Sequence, residues 1–253
     1  MVLLINKIYL IGASGYIGSY LKKKFNQKIY KIIYLDRDFY NQQIIDNPSN
    51  AILLFLSQPS SLIYKFNSKD VTFIRKILKY NWGHIIYFST SLFKLYPSQS
   101  KKFELPDYLK LKLLTEEKIK EFNHTILRLA NVYGPKFKKN TFLNKLKKIQ
   151  AKKEILNLSK KNHVRDYIHL DDVYTCLIKI LEIRPIGTLY LGSGKSISTN
   201  DLIKLMKKKN KFLKKYYNLI YFKKSVDSKV LLNINKTKKI LNWKPTKFIQ
   251  NNI

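Results

Sequence analysis

The chain is predicted to fold as an α/β protein, a doubly wound parallel sheet with a smaller C-terminal lobe. Three observations predict it. Short apolar runs alternate with helical patterns along the first half of the chain, as parallel strands joined by crossover helices require. The first run ends in a glycine-rich turn, and the second closes on an acid, Asp36. With 253 residues, 45% of them hydrophobic, there is enough apolar material to bury one large core and a small appendage.

Lys7 to Ile11 reads as a buried first strand, followed by Gly12-Ala13-Ser14-Gly15-Tyr16-Ile17-Gly18 and a helical pattern through Phe25. Ile29 to Leu35 is the second strand. Further strands are expected at Ala51 to Leu56, Ile85 to Ser89 and Thr125 to Leu129, with helices around Val71 to Tyr80 and Leu109 to Phe122 between them. After Gly134-Pro135 the pattern loosens into a basic helix, Phe142 to Gln150, and a segment His163 to Leu170. A helix Asp171 to Glu182, a strand Thr188 to Leu191 and a helix Thr199 to Lys208 follow. Residues 1–155 are therefore assigned to the sheet domain, rejoined by about 165–190, and residues 156–253 mainly to the lobe. Neither a repeat nor a low-complexity linker separates the two, so the lobe should pack on the sheet.

Composition removes several function classes. The 18 Tyr and 14 Phe are too many for a disordered chain. The longest clean apolar run, Ala51 to Leu56, falls far short of the ~18 residues of a spanning helix, so no membrane partner is expected. No basic segment precedes the apolar start, and a glycine turn follows it at once, which suits a buried strand better than a signal peptide. Cys176 alone permits no internal disulfide, and the four His lack metal-ligand spacing. A cytoplasmic protein without a metal is expected.

The formal net charge of +33 invites a nucleic-acid reading. Only five of the 49 basic residues are Arg, however, and the lysines are spread over the whole chain. Readers of phosphate and base edges favour the planar Arg fork. The densest stretches, Lys136 to Lys153 and Lys204 to Lys215, alternate with Leu, Ile and Phe as solvated faces of amphipathic helices do. The excess of Lys, Ile, Asn and Tyr fits A- and T-rich coding DNA, and no specific nucleic-acid partner is expected.

Two motifs carry chemistry. Gly12, Gly15 and Gly18 have the GxxGxxG spacing of a turn whose backbone approaches a pyrophosphate, with the following helix directing unpaired N–H groups at the anion. Ser14, Tyr16 and Ile17 belong to the same turn. An acid where Asp36 stands accepts the ribose hydroxyls of an adenosine and favours NAD; Arg37 beside it keeps NADP open, since a guanidinium can hold a 2′-phosphate. The second motif is Tyr108 and Lys112, four apart on one helix face. A cation beside a phenol favours the phenolate and so prepares it for proton transfer. With this much Tyr and Lys about three such pairs arise by chance, and Tyr20 with Lys24 is another. Tyr108 is selected by its place after the strand ending Tyr87-Phe88-Ser89-Thr90-Ser91, whose hydroxyls emerge where ligands sit.

In order, GASGYIG at 12–18, FSTS at 88–91, YLKLK at 108–112 with Glu116 a turn later, LRLANVYGP at 127–135, VRDYIHLDDV at 164–173, LGSGKSIS at 191–198 and LNWKP at 241–245 resemble the extended short-chain dehydrogenase/reductases. The likeness is to the NAD-dependent epimerase/dehydratase family acting on nucleotide sugars, and it implies a Rossmann sheet. It further implies that Tyr108 is the catalytic acid/base and that Lys112 lowers its pKa and holds the nicotinamide ribose. Thr90 would bond the reacting sugar oxygen, and Asn131 and Arg165 the nucleotide diphosphate; Ser91 is a further substrate candidate. The expected partner is a nucleotide sugar, and a homodimer is compatible with it. Departures are equally informative. Ser91 and Leu92 replace the Asp-Glu that dehydrating members carry, which argues against a 4,6-dehydratase. The stretch from Asp36 to Ala51 is too short for the usual third strand. Lys94 replaces a second tyrosine, and Phe55-Leu56-Ser57-Gln58 replaces small alanines beside the cofactor. Epimerase and ketoreductase remain open, as does a binding protein that kept the fold and lost the chemistry. Arg165 with Asp166, His169 and Cys176 also have purely structural readings: a surface pair, a packing residue and an apolar helix face.

Overall fold

The computed structural model describes residues 7–36, 45–58, 64–96, 105–136, 141–146, 162–209 and 227–252. Arg37, residues 147–150 of the expected basic helix and most of the two lysine-rich stretches lie outside them.

Six parallel strands form the main sheet: β1 (Lys7–Ile11), β2 (Lys31–Leu35), β3 (Ala51–Phe55), β4 (His84–Thr90), β5 (His124–Leu129) and β8 (Gly187–Leu191), in spatial order β2-β1-β3-β4-β5-β8. The Rossmann sheet is thus present, and among the described residues it ends at β2. Alternation along the strands builds two separate cores. Ile8, Leu10, Ile52, Leu54, Ile86, Phe88, Leu127 and Leu129 face α1 (Tyr16–Lys24) and α4 (Leu170–Ile183), which bring Leu21, Val173, Cys176 and Leu177. Tyr9, Ile11, Leu53, Phe55, Ile85, Tyr87 and Ile126 face α2 (Ser68–Leu78) and α3 (Asp107–Ile119), which bring Phe73, Ile74, Ile77, Leu111 and Ile119.

The second strand starts two residues later than expected because the N–H groups of Ile29 and Tyr30 both bond the Asn26 carbonyl in a turn. The third helix starts two residues early, behind Pro106, a residue favoured where a helix begins.

The lobe has its own small sheet. The segment read only as His163 to Leu170 contains its central strand, β7 (His163–His169), paired in parallel with β6 (Asn131–Tyr133) and β10 (Ser228–Val230) and antiparallel with β9 (Ser196–Ser198). Tyr133, Tyr167, Ile197, Leu202 and Met206 form its core with α5 (Thr199–Lys209). Two buried carboxylates fasten lobe and sheet. Asp172 accepts from the Thr246 N–H at 2.9 Å, its hydroxyl at 2.8 Å and the Lys247 N–H at 2.9 Å, tying down the segment between α6 (Asn235–Leu241) and α7 (Ile249–Asn252). Asp166 accepts from the Ser193 N–H and hydroxyl and the Gly194 N–H, so it is no surface partner of Arg165. Cys176 is fully buried on its helix, and His169 caps α4 by accepting from the Asp171 N–H at 3.1 Å. No helix among the described residues is long and apolar enough to cross a membrane.

Candidate active site

A cavity of about 530 Å³ opens at the carboxyl edge of the main sheet, where chain order reverses between β2 and β3 on either side of β1. Its walls are the glycine turn, the ends of β4 and β5, α3, and residues 141–143 and Tyr167 from the lobe.

Two glycines of the turn have no room for a side chain. Gly12 sits at φ +94°, and a Cβ there would lie 2.8 Å from the Ser57 nitrogen; a Cβ on Gly18 would lie 2.0 Å from the Gly12 carbonyl oxygen. Gly15 donates its N–H to that same carbonyl at 3.1 Å and caps α1 without any side-chain acceptor. By contrast α2 and α4 are capped by Asn67 and His169. The first-turn N–H groups of α1 are therefore left for an anion, and a backbone cradle facing a cavity fits a dinucleotide pyrophosphate. Gly12, Gly15, Tyr16, Ile17 and Gly18 line the cavity; Ser14 is exposed on the turn and outside the lining. Asp36 is exposed just past β2.

Tyr108, Lys112 and Glu116 form one buried stripe of α3. Tyr108 and Thr90 both line the cavity, and the Thr90 Oγ1 accepts from the Leu92 N–H at 3.2 Å. Lys112 donates to the Phe88 carbonyl at 2.8 Å and lies 4.9 Å over the Tyr87 ring. Burial pushes the Tyr108 phenol above its ordinary value, and the neighbouring Thr90 hydroxyl offsets part of that rise. The expected lowering by Lys112 is thus not a property of the chain alone, because desolvation of the phenolate dominates.

Other expected contacts divide. Asn131 lines the cavity and bonds Tyr167, a residue that sequence reasoning missed. Ser91 is buried outside the lining. Arg165 shares a β7 face with Tyr167 yet lies outside the lining, its guanidinium held by the Ser228 hydroxyl at 2.8 Å and carbonyl at 3.1 Å. Also missed was Gln58, whose amide donates to Thr115 at 2.5 Å and accepts from the Tyr87 hydroxyl. The rule that ligand groups sit at strand ends, which selected Tyr108 by its place after β4, points to Gln58 after β3 as well. Both Leu56 and Gln58 intrude on the cavity where the resemblance calls for alanines.

Residues 111–190 match the NAD dependent epimerase/dehydratase family. That segment is about a third of the chain. No curated protein matches the sequence. Among solved structures, UDP-glucose 4-epimerase from Thermotoga maritima superposes with a TM-score of 0.71 at 22% identity over 96% of this chain and 95% of that one. The Bacillus cereus UDP-glucuronic acid 4-epimerase, in complex with UDP-glucuronic acid and NAD, gives 0.73 at 17% over 97% and 96%. RMD from Pseudomonas aeruginosa, complexed with NADPH, gives 0.70 at 13% over 99% and 96%. At these identities the structures establish the Rossmann fold, and this chain spans nearly the whole of each.

Proposed function

We propose that the chain is an NAD(P)-dependent epimerase or ketoreductase acting on a nucleotide-diphosphate sugar. The observation that carries this reading is the meeting of Tyr108, Thr90 and Lys112 with the glycine turn around one cavity. Gly12 to Gly18, Asp36 and Lys112 would hold a nicotinamide dinucleotide, which when bound would supply the hydride acceptor and donor. Tyr108 takes the proton of the sugar hydroxyl at its Oη when the carbon is oxidised and returns it when the carbonyl is reduced. Thr90 orients that oxygen, and Lys112 stabilises the phenolate. Asn131 and Tyr167 close the substrate side. No carboxylate lines the cavity among the described residues, which favours redox at one carbon over elimination of water. NAD is the preferred cofactor, since Asp36 stands past β2; the cytoplasm is the proposed setting, consistent with the buried thiol of Cys176.

Cofactor content tests the reading. An epimerase retains NAD through gel filtration, whereas a ketoreductase elutes empty and oxidises NADPH with a 4-keto sugar. The bulk of Leu56 and Gln58 in the cavity favours one second reading, a nucleotide-binding protein without turnover. Nucleotide binding with no turnover on a panel of nucleotide sugars would establish it.

A further inference from the structure

Beneath the cavity lies a buried ion pair that the proposed chemistry does not use. Glu116 is 1% exposed and follows Lys112 by one helical turn on the same stripe of α3. Its carboxylate accepts from Arg128 twice, Nε at 3.1 Å and Nη2 at 2.6 Å, and from the Ser89 hydroxyl. Arg128 is the β5 neighbour of Ser89 in register. It reaches the Tyr190 hydroxyl of β8 at 3.4 Å, and its guanidinium lies 4.9 Å over the ring of Phe93, in the turn that follows Thr90. Helix, three strands and the post-Thr90 turn thus meet at one bidentate fork.

Stability is a weak reason for such a pair, because well-packed hydrophobic residues commonly replace a buried ion pair without loss. Geometry is the better reason. A planar fork fixes both the height and the rotation of α3 against β5, and Ser89 is the residue before Thr90. A small slip of α3 along the sheet would part Tyr108 from Thr90 and Lys112 from the Phe88 carbonyl together.

We infer that Glu116 and Arg128 are a positioning dyad that holds Tyr108 and Lys112 of α3 in place against Thr90 and the end of β4. The inference rests on the function proposed above. Its test is the double variant Glu116→Leu/Arg128→Met, which removes both charges and keeps apolar packing. The expected result is a melting temperature at or above that of the parent, an NADH dissociation constant within about twofold, and a kcat about tenfold to a hundredfold lower with little change in KM. A crystal structure of the variant should show Lys112 out of hydrogen-bond reach of the Phe88 carbonyl. Parental kcat with that contact intact would overturn the inference. Should the double variant not fold, Glu116→Gln, which keeps the shape and weakens the fork, is read by the same kcat-against-KM split and the same contact. Absence of turnover in the parent would instead sink the function reading, and the Lys112–Phe88 distance in the variants would still decide the dyad.

Discussion

Replacing Gly18 by Ala puts a methyl group 2.0 Å from the Gly12 carbonyl oxygen, 2.8 Å from its carbon and 2.9 Å from the Ala13 Cα. All three are backbone atoms, so no rotamer change relieves the clash, and the turn must withdraw from α1 by about 1.4 Å to reach ordinary contact. Overpacking of this kind costs about 1–3 kcal/mol, while Ala gains about 1 kcal/mol over Gly in helix propensity. The net loss is at most about 2 kcal/mol, or up to about 8 °C in melting temperature for a chain of this size. Binding should suffer more, because the moved atoms form the proposed anion cradle. An NADH fluorescence titration is expected to show a dissociation constant raised about 10- to 100-fold, since displacements of an ångström cost on that order. Gly15→Ala separates the two effects. A Cβ there meets only the Gly12 carbonyl oxygen, at 3.2 Å, so the fold should be spared while the approach of a pyrophosphate is blocked. NADH affinity unchanged in both variants would refute the assignment of this turn to the cofactor.

Tyr108→Phe should lower kcat by about 10²- to 10⁴-fold, the usual worth of a positioned acid or base, and leave NADH binding intact; surviving turnover would eliminate the proposed proton transfer. Because burial raises the Tyr108 phenol, sugar oxidation by the unsubstituted chain should speed up with rising pH while carbonyl reduction stays level through neutrality, and initial rates in the two directions check this. His84 offers a stability test. Burial, then the charges of Arg184 and His124, lower its pKa to about 4 from an ordinary 6.5, so the fold holds it neutral. Its contribution is therefore complete above pH 6.5 and lost as pH falls from there toward 4, by no more than about 3.4 kcal/mol. Urea titrations of His84→Gln should show a flatter loss across that window, and an equal slope would contradict the burial argument.

What could be read in advance followed the range of the physical signal. The β-strands of the main sheet are five to seven residues long and bounded by turn residues, and all but the edge strands β2 and β8 are buried on both faces, so their apolar runs stand out. The helical stripe Tyr108, Lys112, Glu116 needs only a 3.6-residue period. The lobe was nearly illegible because β6, β9 and β10 have three residues each, too few to alternate. Arg165 looked like an anion ligand from its motif, but its partner, Ser228, lies 63 residues away and reaches it only through the β7–β10 pairing. Gln58 was seen as bulk and not as the link between Tyr87 and Thr115, which sit on different elements.

By itself the order of residues determined the sheet, the glycine turn at 12–18 and the pairing of a phenol with an ammonium on one helix, because each is a pattern confined to a single element and its neighbour. Tertiary structure alone decided that the Lys112 ammonium is held by the Phe88 carbonyl, and that Ser91 and Arg165 stand away from the cavity. Those outcomes depend on how far α3 sits along β4 and β5, a distance set by side chains from several remote segments packing at once, which no local spacing encodes.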